Sequence, residues 1–339
     1  MKVTAAANAN IALIKYWGRR NDELILPNNN SISFTMDDQL KTVTSVEFID
    51  SLKQDDLFLD GKPATEKEYA RVTKFLDIVR SLAETHTKNK TKKFAKVVSN
   101  NSFPKAAGLA SSASGFAALA AAASKAADLE LDPKELSALA RRGSGSAARS
   151  VLGGAVEWLA GKKDDGNDCY AVQLSPSEKW SELRNVIAIS SSHEKKISST
   201  DAMKITVRSS KLYSARLRTV EERLLIVREA IKLNEFEKMA AAIMQESDSM
   251  HAVMLDSWPP IVYLNSTSFH IMDKVIELND SYGRSVAAYT FDAGPNAHIY
   301  TTSKHENEVK RILSGVEGIE KVLICKVGHG IRYSDTHLF

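Results

Sequence analysis

Cysteine is scarce in this chain. Its two cysteines, Cys169 and Cys325, stand far apart in a sequence of 339 residues and match neither a metal-binding nor a redox spacing. Such sparse use is typical of a reducing compartment, where buried thiols are the default state. A disulfide between the two stays open on sequence grounds.

Long apolar runs and a leader segment are also missing. No stretch approaches the roughly 18 consecutive apolar residues of a membrane-spanning helix. The first residues enter a patterned segment at once, without the charged and then apolar leader of a secreted protein. We therefore expect a cytoplasmic protein with no membrane partner.

A strong charge of one sign is absent as well. The net charge is +3, from 45 basic and 42 acidic side chains, which is too small to favour nucleic acid as a partner. The histidines show no His-x-x-x-His spacing, so the sequence predicts no transition-metal site built by the protein. Phosphorylated small molecules need only a local charge cluster and fit this composition.

Helical and strand patterns are mixed without a strict βαβ order, which favours an α+β fold over a doubly wound parallel sheet. Residues 31–36 and 42–49 alternate with period two, and we expect these strands to pair across the Asp37-Asp38 corner. Helical spacing predicts helices over the following ranges: 66–85, 133–143, 199–216, 219–233, 235–250, 263–278 and 305–313.

One small-residue loop organises the chain. Pro104-Lys-Ala-Ala-Gly-Leu-Ala-Ser-Ser-Ala-Ser-Gly115 runs directly into an alanine-rich helix. The N-terminus of a helix offers unpaired N–H groups and a favourable dipole to a phosphate. The spacing is neither a Walker loop nor a dinucleotide fingerprint. Taken alone, it fits phosphate binding and a capped core helix about equally well.

Two further serine-rich segments, residues 143–150 and 198–203, also precede helical patterns. If the three segments converge, they supply many neutral donors to a polyphosphate. Arg149 is the strongest single candidate for gripping a substrate anion, because arginine can hold a carboxylate or phosphate through two parallel hydrogen bonds. A surface salt bridge is the alternative.

A lone carboxylate, Asp292, stands in the glycine-proline turn Phe291-Asp-Ala-Gly-Pro-Asn-Ala297 at the end of a predicted strand. It could accept the proton of a hydroxyl group or simply cap the turn. His251 and His298 are better explained by packing than by ligand binding.

Five collinear motifs resemble the diphosphomevalonate decarboxylase family of the GHMP kinase superfamily. They are Asn10-Ile-Ala-Leu-Ile-Lys-Tyr-Trp-Gly18, Ala106-Ala-Gly-Leu-Ala-Ser-Ser-Ala113, Arg142-Gly-Ser-Gly-Ser-Ala147 with Arg149, Ser198-Ser-Thr200 with Met203, and Asp292-Ala-Gly-Pro-Asn296. The resemblance implies a two-lobed fold with an N-terminal part like ribosomal protein S5, here residues 1–185. A ferredoxin-like C-terminal part, residues 186–339, would carry Asp292, and the site would lie in the cleft between the two.

The resemblance also implies a reaction, the ATP-dependent decarboxylation of mevalonate 5-diphosphate to isopentenyl diphosphate, with ATP and Mg²⁺ and often in a homodimer. The implied catalytic residues are Asp292, Arg149 and Arg19. The implied substrate-binding residues are Tyr16, Ser144, Gly145, Ser146, Ser199 and Met203. The implied ATP-binding residues are Asn100, Lys105, Gly108, Ala110, Ser111 and Ser112, with Ser112 also at the metal.

Three departures from the family pattern lie near the diphosphate and C-terminal ends. Arg19 replaces the usual lysine, Ala202 replaces a glycine, and Gly328-His-Gly-Ile331 replaces a glycine-proline segment. These departures bear on the phosphorylation state of the substrate more than on the type of reaction. The alternatives to the implied reaction are a decarboxylase of mevalonate 5-phosphate, a kinase of the 3-hydroxyl group, and a ligand-binding homologue without activity.

Overall fold

The computed structural model describes residues 1–86, 93–103, 111–190 and 197–339. The site predictions for Lys105, Gly108 and Ala110 concern residues outside these ranges.

The described strands and helices alternate irregularly along the chain. The strands are β1 (Lys2–Asn8), β2 (Asn10–Ile14), β3 (Arg19–Asn21), β4 (Leu26–Pro27), β5 (Ser31–Thr35), β6 (Lys41–Ile49), β7 (Asp56–Leu59), β8 (Lys62–Pro63), β9 (Phe94–Asn101), β10 (Ala155–Trp158), β11 (Ala171–Ser175), β12 (Leu183–Ile189), β13 (Ala287–Phe291), β14 (Ala297–Thr302), β15 (Lys321–Lys326) and β16 (Arg332–Ser334). The helices are α1 (Glu66–His86), α2 (Ser111–Ala126), α3 (Pro133–Gly143), α4 (Ala147–Ser150), α5 (Ser199–Ser209), α6 (Tyr213–Leu233), α7 (Phe236–Leu255), α8 (Ser266–Tyr282) and α9 (Glu306–Ser314).

The first sheet has the strand order β16-β1-β6-β9-β7-β8, in which only the β7–β9 pair is parallel. Helix α2 lies against β1 and β6. Its alanines are almost completely buried, because a helix with small side chains can approach a sheet closely. Helix α1 adds Phe75 and Leu76 to the same core.

The second sheet, β11-β10-β5-β2, and the third sheet, β13-β14-β12-β15, are antiparallel throughout. They share one core with α6 and α7, in which Phe34 of β5 meets Trp180 and Tyr300. Helices α8 and α9 cover the other face of the third sheet. Largely antiparallel sheets packed against helices, without a regular βαβ order, confirm the predicted α+β class.

The predicted pairing of residues 31–36 with residues 42–49 is wrong. Both segments are strands, but β5 pairs with β2 and β10, whereas β6 pairs with β1 and β9. A short 3₁₀ turn, Asp38–Leu40, redirects the chain into another sheet. Alternation with period two indicates that a segment is a strand, but it does not indicate which other strand pairs with it.

The predicted helix over residues 199–216 is interrupted, because α5 ends at Ser209 and α6 begins at Tyr213. A distant carboxylate stabilises the break. Asp256 accepts hydrogen bonds from the Ser210 hydroxyl at 2.7 Å and from the Leu212 N–H at 2.9 Å.

The two ends of the chain meet in the first sheet, where β16 pairs with β1. The Lys2 ammonium also donates to the main-chain carbonyl of Phe339 at 2.8 Å. Strand β12 begins at Leu183, close to the domain boundary expected after residue 185, which stays a prediction. Cys169 and Cys325 are both buried and free, as expected for thiols. Across the described ranges, no helix is long and apolar enough to cross a bilayer.

Candidate active site

A buried ion pair joins the ends of two strands from different sheets. Lys15 follows β2 directly and Asp292 follows β13 directly, and the Lys15 Nζ lies 2.7 Å from the Asp292 Oδ1. The lysine side chain is only 2% exposed, whereas the aspartate side chain is 31% exposed and can meet a ligand. Burial lowers the pKa of Lys15, while Asp292 and, more weakly, Glu246 act to raise it.

Arg149 lies inside the protein with neutral partners. It sits in the single turn of α4, and its Nε lies 3.0 Å from both the Asn10 Oδ1 and the Ser33 Oγ. One of its terminal nitrogens donates to the Ser31 hydroxyl at 2.5 Å. Burial lowers the pKa of Arg149 to about 10, so the guanidinium stays charged at neutral pH. Arginine buried without a salt-bridged carboxylate is costly, and an anionic ligand would relieve that cost.

Asp292 acts electrostatically on both cations. After burial, it is the strongest influence on the pKa values of both Lys15 and Arg149, which it acts to raise. Glu246 is the other nearby acid, but Arg216 and Arg223 already pair with its carboxylate. Two buried cations therefore face one partly exposed carboxylate, which leaves positive charge for an anionic substrate.

Two of the three serine-rich segments converge beside this cluster. The Ser144 hydroxyl lies 3.3 Å from those of both Ser112 at the start of α2 and Ser146. Gly145 packs so tightly that an added Cβ would lie 2.7 Å from the Tyr16 ring and 2.9 Å from Trp158. Five predicted residues thus lie together on one side of the candidate site: Ser112, Ser144, Gly145, Ser146 and Tyr16.

The Tyr16-Trp-Gly18 segment connects this side of the candidate site to the third serine-rich segment, residues 198–203. The Arg19 Nε donates to the Tyr16 hydroxyl, and its terminal nitrogen lies 3.6 Å from Asp22. Gly18 has a φ of +98°, and a side chain there would meet the hydroxyl of Tyr213.

A cavity beside Arg19 is lined by α5. Its lining includes Met203, Lys204 and Arg208. Ser199 begins α5 behind the cap residue Ser198 and is not among the lining residues. The structure therefore places Arg19 and Met203 on one cavity, with Ser199 one helical turn before Met203.

A second cavity lies between the first sheet and helices α1 and α2. Ser111, Ser112 and Gly115 of α2 face Ser99 and Asn101 of β9 across it. Asn100 is exposed and lies outside this lining, since alternate residues of a strand point to opposite faces. Arg71 of α1 also lines the cavity, and its guanidinium donates to the Gly143 carbonyl at 2.9 Å.

Comparisons with known proteins agree along the whole chain. Residues 7–171 match the model of the diphosphomevalonate decarboxylase-like N-terminal domain, and residues 185–331 match that of the mevalonate 5-diphosphate decarboxylase C-terminal domain. The diphosphomevalonate decarboxylase of Candida albicans is 43% identical over an alignment of 360 positions, which covers 99% of this chain and 98% of that protein. The chain belongs to the diphosphomevalonate decarboxylase family.

Solved structures agree with this assignment. The crystal structure of mevalonate diphosphate decarboxylase from Staphylococcus aureus is 36% identical, with a TM-score of 0.91 over 98% of both chains. A structure of MDDEF in complex with MVAPP, AMPPCP and magnesium is 39% identical, with a TM-score of 0.90 over 99% of both chains. The sequence predictions of the family, the two-part fold and the ATP-dependent decarboxylation of mevalonate 5-diphosphate are confirmed.

Several residues of the candidate site are missing from the predicted set. Lys15 stands in the first of the five motifs without an assigned role, although an abrupt change from apolar to basic and aromatic residues after β2 marks its position. Asn10, Ser31 and Ser33 surround Arg149 from strands that read as ordinary strands of the core. Only the fold brings these three side chains to one guanidinium.

Proposed function

We propose that Asp292, Lys15 and Arg149 form the reacting centre of an ATP-dependent decarboxylase acting on mevalonate 5-diphosphate. The observation that carries this proposal is the pair of buried cations against one partly exposed carboxylate. Such a centre can place an acceptor near a hydroxyl group while it binds a carboxylate on the same substrate.

Phosphorylation comes first in this proposal. The C3 hydroxyl oxygen attacks the γ-phosphorus of ATP, the bond from that phosphorus to the β-phosphate oxygen breaks, and ADP leaves. Asp292 orients the hydroxyl and accepts its proton. Lys15 holds the carboxylate from its buried side, so that the acceptor keeps one orientation.

Decarboxylation follows. The bond from C3 to the phosphate oxygen breaks, and inorganic phosphate leaves with the electron pair. The C1–C2 bond then supplies the electrons of the new C2=C3 double bond and releases CO₂. Arg149 holds the C1 carboxylate, and Asn10, Ser31 and Ser33 fix the plane of the guanidinium. The breaking bond must align with the empty orbital at C3, so the orientation of Arg149 is catalytic in itself.

We assign the diphosphate end of the substrate to Tyr16 and Arg19, with Ser199 and Met203 around it. The carboxylate end is assigned to Arg149, with Ser144, Gly145 and Ser146 beside it. A guanidinium can hold two phosphate oxygens at once. Arg19 is a good candidate because its side chain is 11% exposed and lines the cavity beside α5.

We assign ATP to the cavity between β9 and α2, with Ser111 and Ser112 at its phosphates. The described residues contain no group of three or more His, Cys, Asp or Glu side chains that could hold a metal. Mg²⁺ commonly binds through substrate phosphates, waters and few protein oxygens, so the Ser112 hydroxyl suits it. When bound, Mg²⁺ neutralises charge on the phosphates. Two buried free thiols support a cytoplasmic setting.

The proposal is tested by incubating the protein with ATP, Mg²⁺ and, in separate reactions, mevalonate, its 5-phosphate or its 5-diphosphate. We expect equal amounts of CO₂ and ADP, with the diphosphate by far the best substrate. ADP without CO₂ would indicate a 3-kinase, and preference for the monophosphate would indicate the other decarboxylase. No turnover of any of the three would indicate a homologue that only binds ligands.

A further inference from the structure

Helix α7 approaches the Lys15–Asp292 pair from the protein interior. It packs against β2 and β13, the two strands whose ends carry the pair. Two successive residues of α7, Glu246 and Ser247, are fully buried there. Each of them accepts a hydrogen bond from the main chain at one of the two strand ends.

Ser247 holds the end of β13. Its hydroxyl oxygen accepts from the main-chain N–H of Phe291 at 3.0 Å, and Phe291 directly precedes Asp292. One turn further along α7, the His251 ring meets the Phe291 ring edge-on, with centroids 6.3 Å apart. The backbone before Asp292 is thus fixed by a hydrogen bond and by a ring contact from one helix.

Glu246 holds the end of β2. Its Oε1 accepts from the main-chain N–H of Lys15 at 3.1 Å. The same carboxylate accepts from Arg216 and, at 2.8 Å, from the Nε of Arg223, both on α6. With both oxygens occupied by arginines, the carboxylate has little freedom to move away from Lys15.

We propose that Glu246 and Ser247 are positioning residues of the decarboxylase, which hold the ends of β2 and β13 and thereby set the geometry of the Lys15–Asp292 pair. Neither residue touches the substrate. The two strands belong to different sheets, so no shared ladder fixes their separation. This inference rests on the role proposed above for Asp292.

Ser247→Ala is the first test, with Ser249→Ala on the same helix as its control. We expect Ser247→Ala to lower kcat about tenfold. The KM for ATP and the KM for the diphosphate substrate should stay within about twofold of the parent values, since a displaced catalytic group lowers the rate before it weakens binding. Ser249→Ala should keep the parent kcat. An unchanged kcat in Ser247→Ala, or a loss confined to KM, would overturn the role of Ser247.

The charge of Glu246 supplies the second test, through the pH profile of kcat. The titratable or charged groups near Lys15 are Asp292, Glu246, Arg149, His251 and His298. Lys15 must stay protonated to pair with Asp292, so activity falls as the pH rises through the pKa of Lys15. This fall is the alkaline limb of the pH profile. Because Glu246→Gln removes a negative charge that raises the pKa of Lys15, it should move the alkaline limb to lower pH by about one unit.

Arg223→Gln gives an independent variant that leaves Glu246 in place. It removes one cation from the Glu246 carboxylate, so the alkaline limb should move to higher pH, opposite to the shift in Glu246→Gln. A structural defect would not shift the limb in opposite directions in the two variants. If the alkaline limb of the pH profile stays in place in Arg223→Gln, or moves in the same direction in both variants, Glu246 does not have the proposed role.

Asp292→Asn, measured beside these variants, separates the two proposals. If Asp292→Asn is impaired and Ser247→Ala and Arg223→Gln behave like the parent enzyme, only the positioning role fails. If Asp292→Asn itself keeps full turnover, the proposed reacting centre fails first.

Discussion

Asp292→Asn keeps the size of the side chain and removes its charge and its capacity to accept a proton. We expect nucleotide affinity to stay near that of the parent enzyme and turnover to fall by at least about 10²-fold, the low end for a lost proton acceptor. Single-turnover release of ADP and equilibrium binding of ATP measure the two quantities separately. Turnover within tenfold of the parent enzyme would exclude Asp292 from the mechanism.

Arg149→Lys tests the grip on the carboxylate. A lysine cannot reproduce the planar donor set that Asn10, Ser31 and Ser33 hold in place, so decarboxylation should suffer more than substrate binding. Release of CO₂ per ADP formed measures this directly. Arg311→Lys, at an exposed position of α9, is the matched control. A full rate in Arg149→Lys would contradict the assigned role.

Arg19→Ala tests how the enzyme distinguishes the diphosphate from the monophosphate. The second phosphoryl group should add one or two charge-assisted hydrogen bonds, each worth about 1.5 to 3 kcal/mol, or roughly one to two decades in kcat/KM. Arg19→Ala should therefore lower kcat/KM for the diphosphate much more than for the monophosphate.

Arg20→Ala is the control for this comparison of two substrates on two proteins. The Arg20 guanidinium is directed to main-chain oxygens, since it donates to the Ala160 and Lys163 carbonyls at 3.2 Å and 3.0 Å. Arg20→Ala should affect both substrates equally. Equal losses for the two substrates in Arg19→Ala would show that Arg19 does not contact the distal phosphate.

At the scale of a single helix, α2 has a glycine where it faces the cavity assigned to ATP. A Cβ at Gly115 would meet no atom within 4 Å. Gly115→Ala should stabilise the protein by up to about 1 kcal/mol through helix propensity. The same methyl group occupies space in the cavity, so the KM for ATP should rise while that for the diphosphate substrate stays unchanged. Urea unfolding and initial rates check both parts. An unchanged KM for ATP would place the nucleotide elsewhere.

The sequence identified most elements but not the contacts between them. Alternation predicted β5 and β6 as strands, yet their partners depend on which apolar faces meet in the finished core. The break between α5 and α6 depends on Asp256, more than forty residues away, which helical periodicity cannot detect.

The residues of the candidate site also fall into two groups, those that the sequence indicates and those that only the tertiary structure reveals. Residues inside local motifs, such as Asp292 and Arg149, were recognisable from the sequence. The supporting residues Ser31, Ser33 and Glu246 lie in strands and helices whose local patterns indicate only a core. Their roles follow from tertiary placement, so a single sequence contains no local signal for them.

At the scale of the whole molecule, two buried histidines should make stability depend on pH. Burial lowers the pKa values of His251 and His298 to about 4, from 6.5. The unfolded chain then binds more protons than the native protein below pH 6.5. Stability should be complete above that pH and decrease towards pH 4, by up to about 1.4 kcal/mol per pH unit for each histidine.

Urea titrations at several pH values measure this slope. His298→Gln should remove about half of it, whereas His270→Gln, at an exposed position of α8, should leave it unchanged. A slope that is the same in His298→Gln and in the parent protein would mean that His298 does not bind a proton on unfolding.

The pairing of β16 with β1 has a consequence for the nascent chain. β1 is the first of the described strands and helices to be synthesised and β16 is the last, so one edge of β1 stays uncovered while all the others are made. An uncovered strand edge can pair with another polypeptide. Until β16 has been made, that edge therefore needs a temporary cover, for example a chaperone, because its native partner strand does not yet exist.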